Sequence, residues 1–173
     1  MSTDLEQFYE IFFEESSELL ADMEACLLRL DVNSPVLEDL NAIFRAAHSI
    51  KGGAGTFGFT DMTEATHMLE TLLDKLRKGE LEVRSEMIDA FLRAGDVIRE
   101  QLAAHRGEGQ ADPAAALAIC EELKRLSDDS QRSVKKNEND AAQSKATLSE
   151  PISEITRDQP KSIEEIAGST YDI

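Results

Sequence analysis

The sequence predicts an all-α protein: an up-and-down four-helix bundle with an additional C-terminal helix, followed by a disordered tail. Apolar residues recur at steps of three and four over five segments, and no segment shows the alternation of period two that is typical of a strand. Short connections join these segments, which favours antiparallel neighbours in a bundle. Of the 173 residues, 41% are hydrophobic and 31% are charged, which is enough for one domain with its own core.

The first two predicted helices are separated by the break Val32-Asn33-Ser34-Pro35. A capping-box pattern of Thr3 and Glu6 opens the first helix. We expect the glycines from Gly52 onward to end the second helix, so His48 lies on it. The apolar positions of the first helix are Phe8, Phe12, Leu19, Met23, Cys26, Leu27 and Leu30, and those of the second are Leu37, Leu40, Ile43, Phe44, Ala47 and Ile50.

Three further helices follow the glycines. Thr60 is the predicted cap of the third, which ends at Gly79. Ser85 starts the fourth, which stops at Gly107. Asp112 followed by a proline at the first helical position opens the fifth. Their apolar positions are Met62, Ala65, Leu69, Leu72, Leu73 and Leu76 in the third, Ile88, Phe91, Leu92, Val97, Ile98 and Leu102 in the fourth, and Leu117, Cys120, Leu123 and Leu126 in the fifth.

The loss of apolar periodicity after Leu126 predicts the domain boundary. We expect one helical bundle over residues 1–127 and a polar, disordered linker or tail over residues 128–173. The run after Ser127 is rich in Ser, Asp, Asn, Lys and Glu. Such a composition cannot bury enough apolar surface to offset the entropy lost on ordering.

Composition also bears on partners and location. The net charge of −17 repels nucleic acid and anionic membrane surfaces, so neither is an expected partner. The N-terminus has no signal-peptide pattern, and no apolar run reaches the roughly 18 residues of a membrane span. We therefore expect a cytoplasmic chain without membrane insertion. Cys26 and Cys120 lie in apolar surroundings without metal-ligand spacing, which predicts reduced core cysteines.

The segment from Ala46 to Phe59 contains the most informative motif. His48 and Lys51 stand three residues apart on a helix and are therefore surface neighbours. An imidazole is a nucleophile near neutral pH, and an ammonium would offer opposite charge and three donors to a phosphoryl group attached to it. Gly52 and Gly53 lack side-chain bulk, so the backbone of a partner protein could approach closely there.

A helical wheel places His48 roughly 90° from the centre of the apolar face, at its solvent-accessible rim. Thr63, His67, Glu70 and Asp74 form a polar stripe along the third helix. If that helix neighbours the second, Glu70 can accept a hydrogen bond from one ring nitrogen of His48 and leave the lone pair of the other free to attack. The spacing by itself equally allows a solvated charged face.

Three other motif matches lead to no site. Gly53 to Gly58 fits G-x-G-x-x-G, but a helix precedes it instead of the strand that a dinucleotide site requires. Glu64-x-x-His67 is half of a di-iron pattern without its second half. Lys51 precedes its glycines, so there is no Walker loop for ATP. We expect neither a metal nor a bound cofactor on this chain.

The stretch from Phe44 to Phe59 closely resembles the phosphoacceptor segment of the histidine-phosphotransfer (HPt, P1) domains of CheA-type chemotaxis kinases. The resemblance covers roughly the first 127 residues, including Phe8-Tyr9, Phe12-Phe13 and Thr66 to Glu70. It implies that His48 is the phosphoacceptor, with Glu70 and His67 in supporting roles. Lys51 would then stabilise the phosphate.

The resemblance also implies partners. The donor would be the kinase catalytic domain of a CheA-type kinase, with ATP and Mg²⁺ bound there and not on this chain. The acceptors would be response regulators of the CheY and CheB kind. The expected function is that of a phosphoryl carrier in two-component chemotaxis signalling, the phosphoacceptor part of a transferase without an ATP site of its own.

Two alternatives are open at the level of the sequence. A standalone phosphorelay protein serving other kinases would use the same chemistry. An acidic helical adaptor would bind partner helices without chemistry. Acid-labile phosphate on His48 distinguishes the adaptor from the carriers.

Overall fold

The computed structural model describes the backbone of residues 3–128 and the side chains of residues 5–128. Its helices are α1 (Thr3–Arg29), α2 (Leu37–Phe57), α3 (Thr60–Arg77) and α4 (Ser85–Arg106), and a fifth, α5, spans residues 113–128. Over this part of the chain there is no strand. The all-α bundle with an additional helix is therefore confirmed, while the predicted tail lies outside the described residues.

The four long helices form a closed ring. Each packs against the next along the chain, and α4 packs back against α1. Contacts near the helix ends show the antiparallel order: Arg29 at the end of α1 binds Asp39 at the start of α2, and Arg106 at the end of α4 reaches Glu10 near the start of α1. This up-and-down arrangement is the one that short connections predict, and it makes α2 and α3 neighbours.

The fifth helix covers the groove between α3 and α4. Asp112 accepts a hydrogen bond at Oδ1 from the backbone N–H of Ala114 at 2.9 Å, so the predicted cap is confirmed. Arg93 of α4 pairs with Glu122 at 2.6 Å. The apolar face of α5 is buried through Ile119, Leu123 and Leu126, so α5 belongs to the packed bundle, and the boundary after residue 127 stays a prediction.

The first glycines of the stretch do not end the second helix, contrary to the expectation; only the last of them does. α2 continues through Gly52, Gly53 and Gly55 to Phe57 and ends at Gly58, whose φ of 78° is left-handed. A glycine weakens a helix by about 1 kcal/mol relative to alanine, a cost that packing can offset. Here the packing comes from an aromatic cluster of Tyr9, Phe12, Phe13, Phe57 and Phe59, whose rings contact one another across α1, α2 and the start of α3.

Four smaller expectations are wrong. Leu117, an expected apolar position of the fifth helix, is 62% exposed. Phe8 is 60% exposed, because the neighbouring Tyr9 turns inward and packs on Phe57 instead. Leu37 is also exposed, since it lies in the first turn of α2. Thr60 is the first residue of α3 and not its cap; Phe59 holds the cap position without a side-chain hydrogen bond.

Candidate functional site

His48 and Glu70 meet where α2 packs against α3. The Nδ1 atom of His48 lies 3.0 Å from Oε1 of Glu70, within hydrogen-bonding distance. The His48 side chain is 63% exposed, whereas that of Glu70 is only 14% exposed. The imidazole therefore stands at the rim of the bundle, as the helical wheel predicts, and one of its nitrogens is held by a carboxylate that is largely withdrawn from solvent.

Lys51 binds the other oxygen of the same carboxylate. Its Nζ lies 2.6 Å from Oε2 of Glu70. Burial disfavours the charged form of Glu70, but the contacts with Lys51 and His48 outweigh that effect and hold the pKa of Glu70 below its ordinary value of 4.5. Glu70 is therefore ionised at neutral pH.

The charge state of Glu70 decides the tautomer of His48. An ionised carboxylate can only accept a hydrogen bond, so the proton in this contact belongs to Nδ1 of the imidazole. The neutral ring then carries its lone pair on Nε2, which makes no hydrogen bond to the described residues. The arrangement presents a nucleophilic nitrogen to solvent and to any partner that approaches there.

Acid should remove the stabilisation that Glu70 contributes to the fold. A carboxyl whose pKa is lower when folded than when unfolded stabilises the fold above its unfolded pKa, and this contribution is lost as the pH falls through the folded value. The difference in free energy of unfolding between the wild type and Glu70→Gln is therefore expected to be largest above pH 4.5 and to shrink in stronger acid. Urea unfolding at stepped pH values measures it; a difference that grows in acid would contradict the assignment.

His67 lies beside this pair. The side chain is exposed on α3 and lines a surface cavity of about 340 Å³ that Lys51 and Glu70 also line. Within residues 5–128 its imidazole has no hydrogen bond or ion pair. The structure thus brings His67 near the pair without joining it to His48, and its supporting role stays a prediction.

Gly52 and Gly53, both predicted to favour docking of a partner, have different surroundings. A Cβ atom at Gly53 would lie 2.5 and 2.6 Å from two ring carbons of Phe12, whereas one at Gly52 would meet nothing within 4 Å. Gly53 therefore permits close packing of α1 on α2 inside the bundle, which accounts for a glycine there without a partner. Of these two glycines, only Gly52 faces open space, and it lies one turn beyond His48.

Substitution by alanine should reveal this difference between Gly52 and Gly53. Gly52→Ala is expected to stabilise the fold by about 0.5–1 kcal/mol, because alanine is the better helix former and meets no neighbour. Gly53→Ala is expected to destabilise it by roughly 0.5–2 kcal/mol, since overpacking against the Phe12 ring exceeds the same helical gain. Urea unfolding of the two variants tests the assignment, and equal stability of both would overturn it.

Phe44 and Arg77 also lie at the site, although no sequence pattern indicated a role for them there. The Phe44 ring is stacked with that of His48, with centroids 5.9 Å apart and planes 15° apart. The Cζ atom of Arg77 lies 3.7 Å from the centroid of the Phe44 ring. The spacing of Phe44 and His48, four residues apart on one helix, could have indicated the first contact, but the second depends on how α3 lies against α2.

Over the described part of the chain, no group of three or more His, Cys, Asp or Glu side chains is arranged to hold a metal ion. None of the helices described is both long and apolar enough to cross a bilayer.

Comparison with known proteins places this geometry in context. A family model described as the Hpt domain matches residues 7–129. The chemotaxis protein CheA of Salmonella typhimurium is 52% identical over 126 residues, which are 73% of this chain and 19% of that protein. CheA of Rhizobium meliloti is 41% identical over 123 residues, or 71% of this chain and 16% of that protein. The chain thus spans about a fifth of the length of CheA of Salmonella typhimurium and of CheA of Klebsiella aerogenes.

Two solved structures share the fold. The solution structure of the histidine phosphotransfer domain of CheA has a TM-score of 0.62 at 32% identity and covers 70% of this chain and 92% of its own. The phosphorylated P1 domain of CheA3 from R. sphaeroides, solved in complex with CheY6, has a TM-score of 0.61 at 21% identity and covers 68% and 93%. The family match over residues 7–129, the part of the chain in which the exposed His48 imidazole contacts the largely buried Glu70, shows that the chain belongs to the histidine-phosphotransfer (Hpt) domain family.

Proposed function

We propose that this chain is a phosphoryl carrier of chemotaxis signalling, in which His48 takes a phosphoryl group from a kinase domain and passes it to a response regulator. The observation that carries the proposal is the 3.0 Å contact of Glu70 with Nδ1 of His48. That contact leaves the lone pair on Nε2 of a side chain that is 63% exposed. The high identity to CheA proteins and the CheY6 complex of a related P1 domain support the choice of partners.

The first step is attack by Nε2 of His48 on the γ-phosphorus of ATP bound, with Mg²⁺, to a separate CheA-type kinase domain. The new N–P bond forms as the bond to the bridging oxygen breaks, and ADP leaves with that electron pair. The ring keeps its proton on Nδ1 and gains positive charge. Glu70 is placed to stabilise that charge, because its carboxylate accepts the Nδ1–H hydrogen bond.

The second step returns the ring to its starting state. A carboxylate oxygen of an aspartate on a CheY- or CheB-type regulator attacks the phosphorus, and the N–P bond breaks. Its electron pair returns to Nε2, so no proton has to move at Nδ1. Lys51 lies one turn from His48 and binds the second oxygen of Glu70. Its ammonium can also attract the phosphoryl oxygens. At a separation of 4 Å this attraction is about 1 kcal/mol at an effective dielectric constant of 80 and about 4 kcal/mol at 20.

Labelling of the wild-type chain tests this proposal. Incubation with a CheA-type kinase core and γ-labelled ATP should transfer label to the chain, and addition of CheY should then remove it. The label should be labile in acid and stable in alkali, as a phosphoramidate is. Absence of label would favour the alternative of a helical adaptor that binds partners without chemistry. Label that is stable in acid would point to Ser49 or Thr56 as the acceptor.

A further inference from the structure

The hydrogen bond from Glu70 does not by itself fix the orientation of the His48 ring. A single bond at Nδ1 leaves the ring able to pivot about that atom, and a side chain that is 63% exposed has few neighbours to prevent it. Such a histidine can populate more than one staggered χ1 well and two orientations of χ2. A partner that must approach Nε2 from one direction could then react with only a fraction of the His48 rings.

Phe44 supplies the missing constraint. It lies one turn before His48 on α2, and helical side chains point toward the N-terminus, so the imidazole leans back over residue 44. The two rings are nearly parallel, with planes 15° apart and centroids 5.9 Å apart, which is the geometry of an offset stack. Phe44 is itself packed against the hydrophobic core. The stack therefore ties an exposed ring to a side chain with a fixed place.

Arg77 in turn holds Phe44 from the neighbouring helix. Its guanidinium carbon stands 3.7 Å from the centroid of the Phe44 ring, within the range of a cation–π interaction. Asp74 binds the same guanidinium at 3.0 Å and keeps it in place. Since an arginine stays protonated at any physiological pH, this contact does not depend on titration.

We infer that Phe44 and Arg77 are positioning residues for the phosphoacceptor. Glu70 of α3 contacts the His48 imidazole directly at Nδ1. Arg77, also on α3, acts on the face of that ring through Phe44. Together the two contacts determine both the tautomer and the direction of Nε2. The inference rests on the proposed function, because its benefit is a larger fraction of His48 ready for transfer. A purely structural clasp of α2 on α3 would instead change stability and leave the rate per folded molecule unaltered.

Three variants separate positioning from stability. Phe44→Leu removes the ring face and keeps an apolar side chain, while Phe44→Tyr keeps the ring. Arg77→Lys keeps the charge and loses the planar guanidinium. If the freed ring spreads over two χ1 wells and two χ2 orientations, the competent fraction and the labelling rate fall about 2- to 4-fold. We expect that loss for Phe44→Leu, a smaller loss for Arg77→Lys, and the wild-type rate for Phe44→Tyr.

The matched control is Arg93→Lys, which alters an arginine–glutamate pair between α4 and α5 and is expected to leave the rate unchanged. Initial labelling rates with a kinase core and ATP are measured at a temperature at which circular dichroism shows every variant folded. The three-bond couplings from the backbone nitrogen and carbonyl carbon of His48 to its Cγ report χ1. They should indicate one rotamer in the wild type and averaging in Phe44→Leu.

The outcomes are distinct. Unchanged rates in both Phe44→Leu and Arg77→Lys would overturn the inference, whatever the couplings show. A wild-type chain without label would overturn the proposed function instead. The couplings would in that case still decide whether Phe44 and Arg77 hold the ring.

Discussion

A His48→Gln chain is expected to fold as the wild type does and to take up no phosphate from a CheA-type kinase core and ATP. Glutamine has no nucleophilic nitrogen, because the lone pair of its amide nitrogen is delocalised into the carbonyl group. The His48 side chain is 63% exposed, so its replacement removes only the contacts with Phe44 and Glu70. Loss of all label at an unchanged melting temperature is therefore the predicted result.

The other two histidines are the controls for this experiment. His67 is exposed on α3, and His105 stacks on Phe59 with centroids 4.1 Å apart and binds Asp61 at 2.8 Å. Both His67→Gln and His105→Gln should still be labelled. For His105→Gln the loss of the stack with Phe59 should lower the melting temperature, so its labelling is compared at a temperature where it remains folded. Label that persists in His48→Gln would place the phosphoacceptor elsewhere.

The second large effect is expected at Glu70. Glu70→Ala removes the acceptor that fixes the Nδ1 proton and the negative charge beside the developing imidazolium. By analogy with partners that orient metal-binding histidines, the rate of phosphorylation should fall about 10- to 100-fold. The melting temperature should fall only slightly: the stabilisation by ionised Glu70 is lost, but the released Lys51 is 27% exposed and can turn its ammonium to water.

Initial rates at saturating kinase core measure this loss, and Glu64→Ala is the matched control. Glu64 lies on the same helix and is exposed, with no ion pair among the described residues, so its removal should leave the rate as it was. An unchanged rate of phosphorylation in Glu70→Ala would mean that Glu70 has no role in the transfer. A large loss of stability would make it a structural group instead.

Sequence patterns within single helices account for most of what could be predicted about the fold and the candidate site. The cap of α5 at Asp112, the start of α4 at Ser85 and the ends of α3 just before Gly79 and of α4 at Gly107 follow from turn residues and apolar steps, which act within a few positions of the chain. The predicted cap at Thr3 lies outside the described side chains. The rim position of His48 follows from helical periodicity alone. The path of α2 through its glycines did not follow from local signals, because the aromatic cluster that offsets their cost brings together residues far apart in sequence.

The sequence by itself determined that His48 and Lys51 share a helix face and that Glu70 lies on a polar stripe, since these relations depend only on spacing along one helix. Tertiary structure decided the rest. Packing of α3 against α2 brought Glu70 to both partners and set Arg77 over Phe44, while packing of α1 against α2 placed Phe12 beside Gly53. Such contacts depend on the axial offset and rotation of one helix against another, which are fixed by how whole faces interlock.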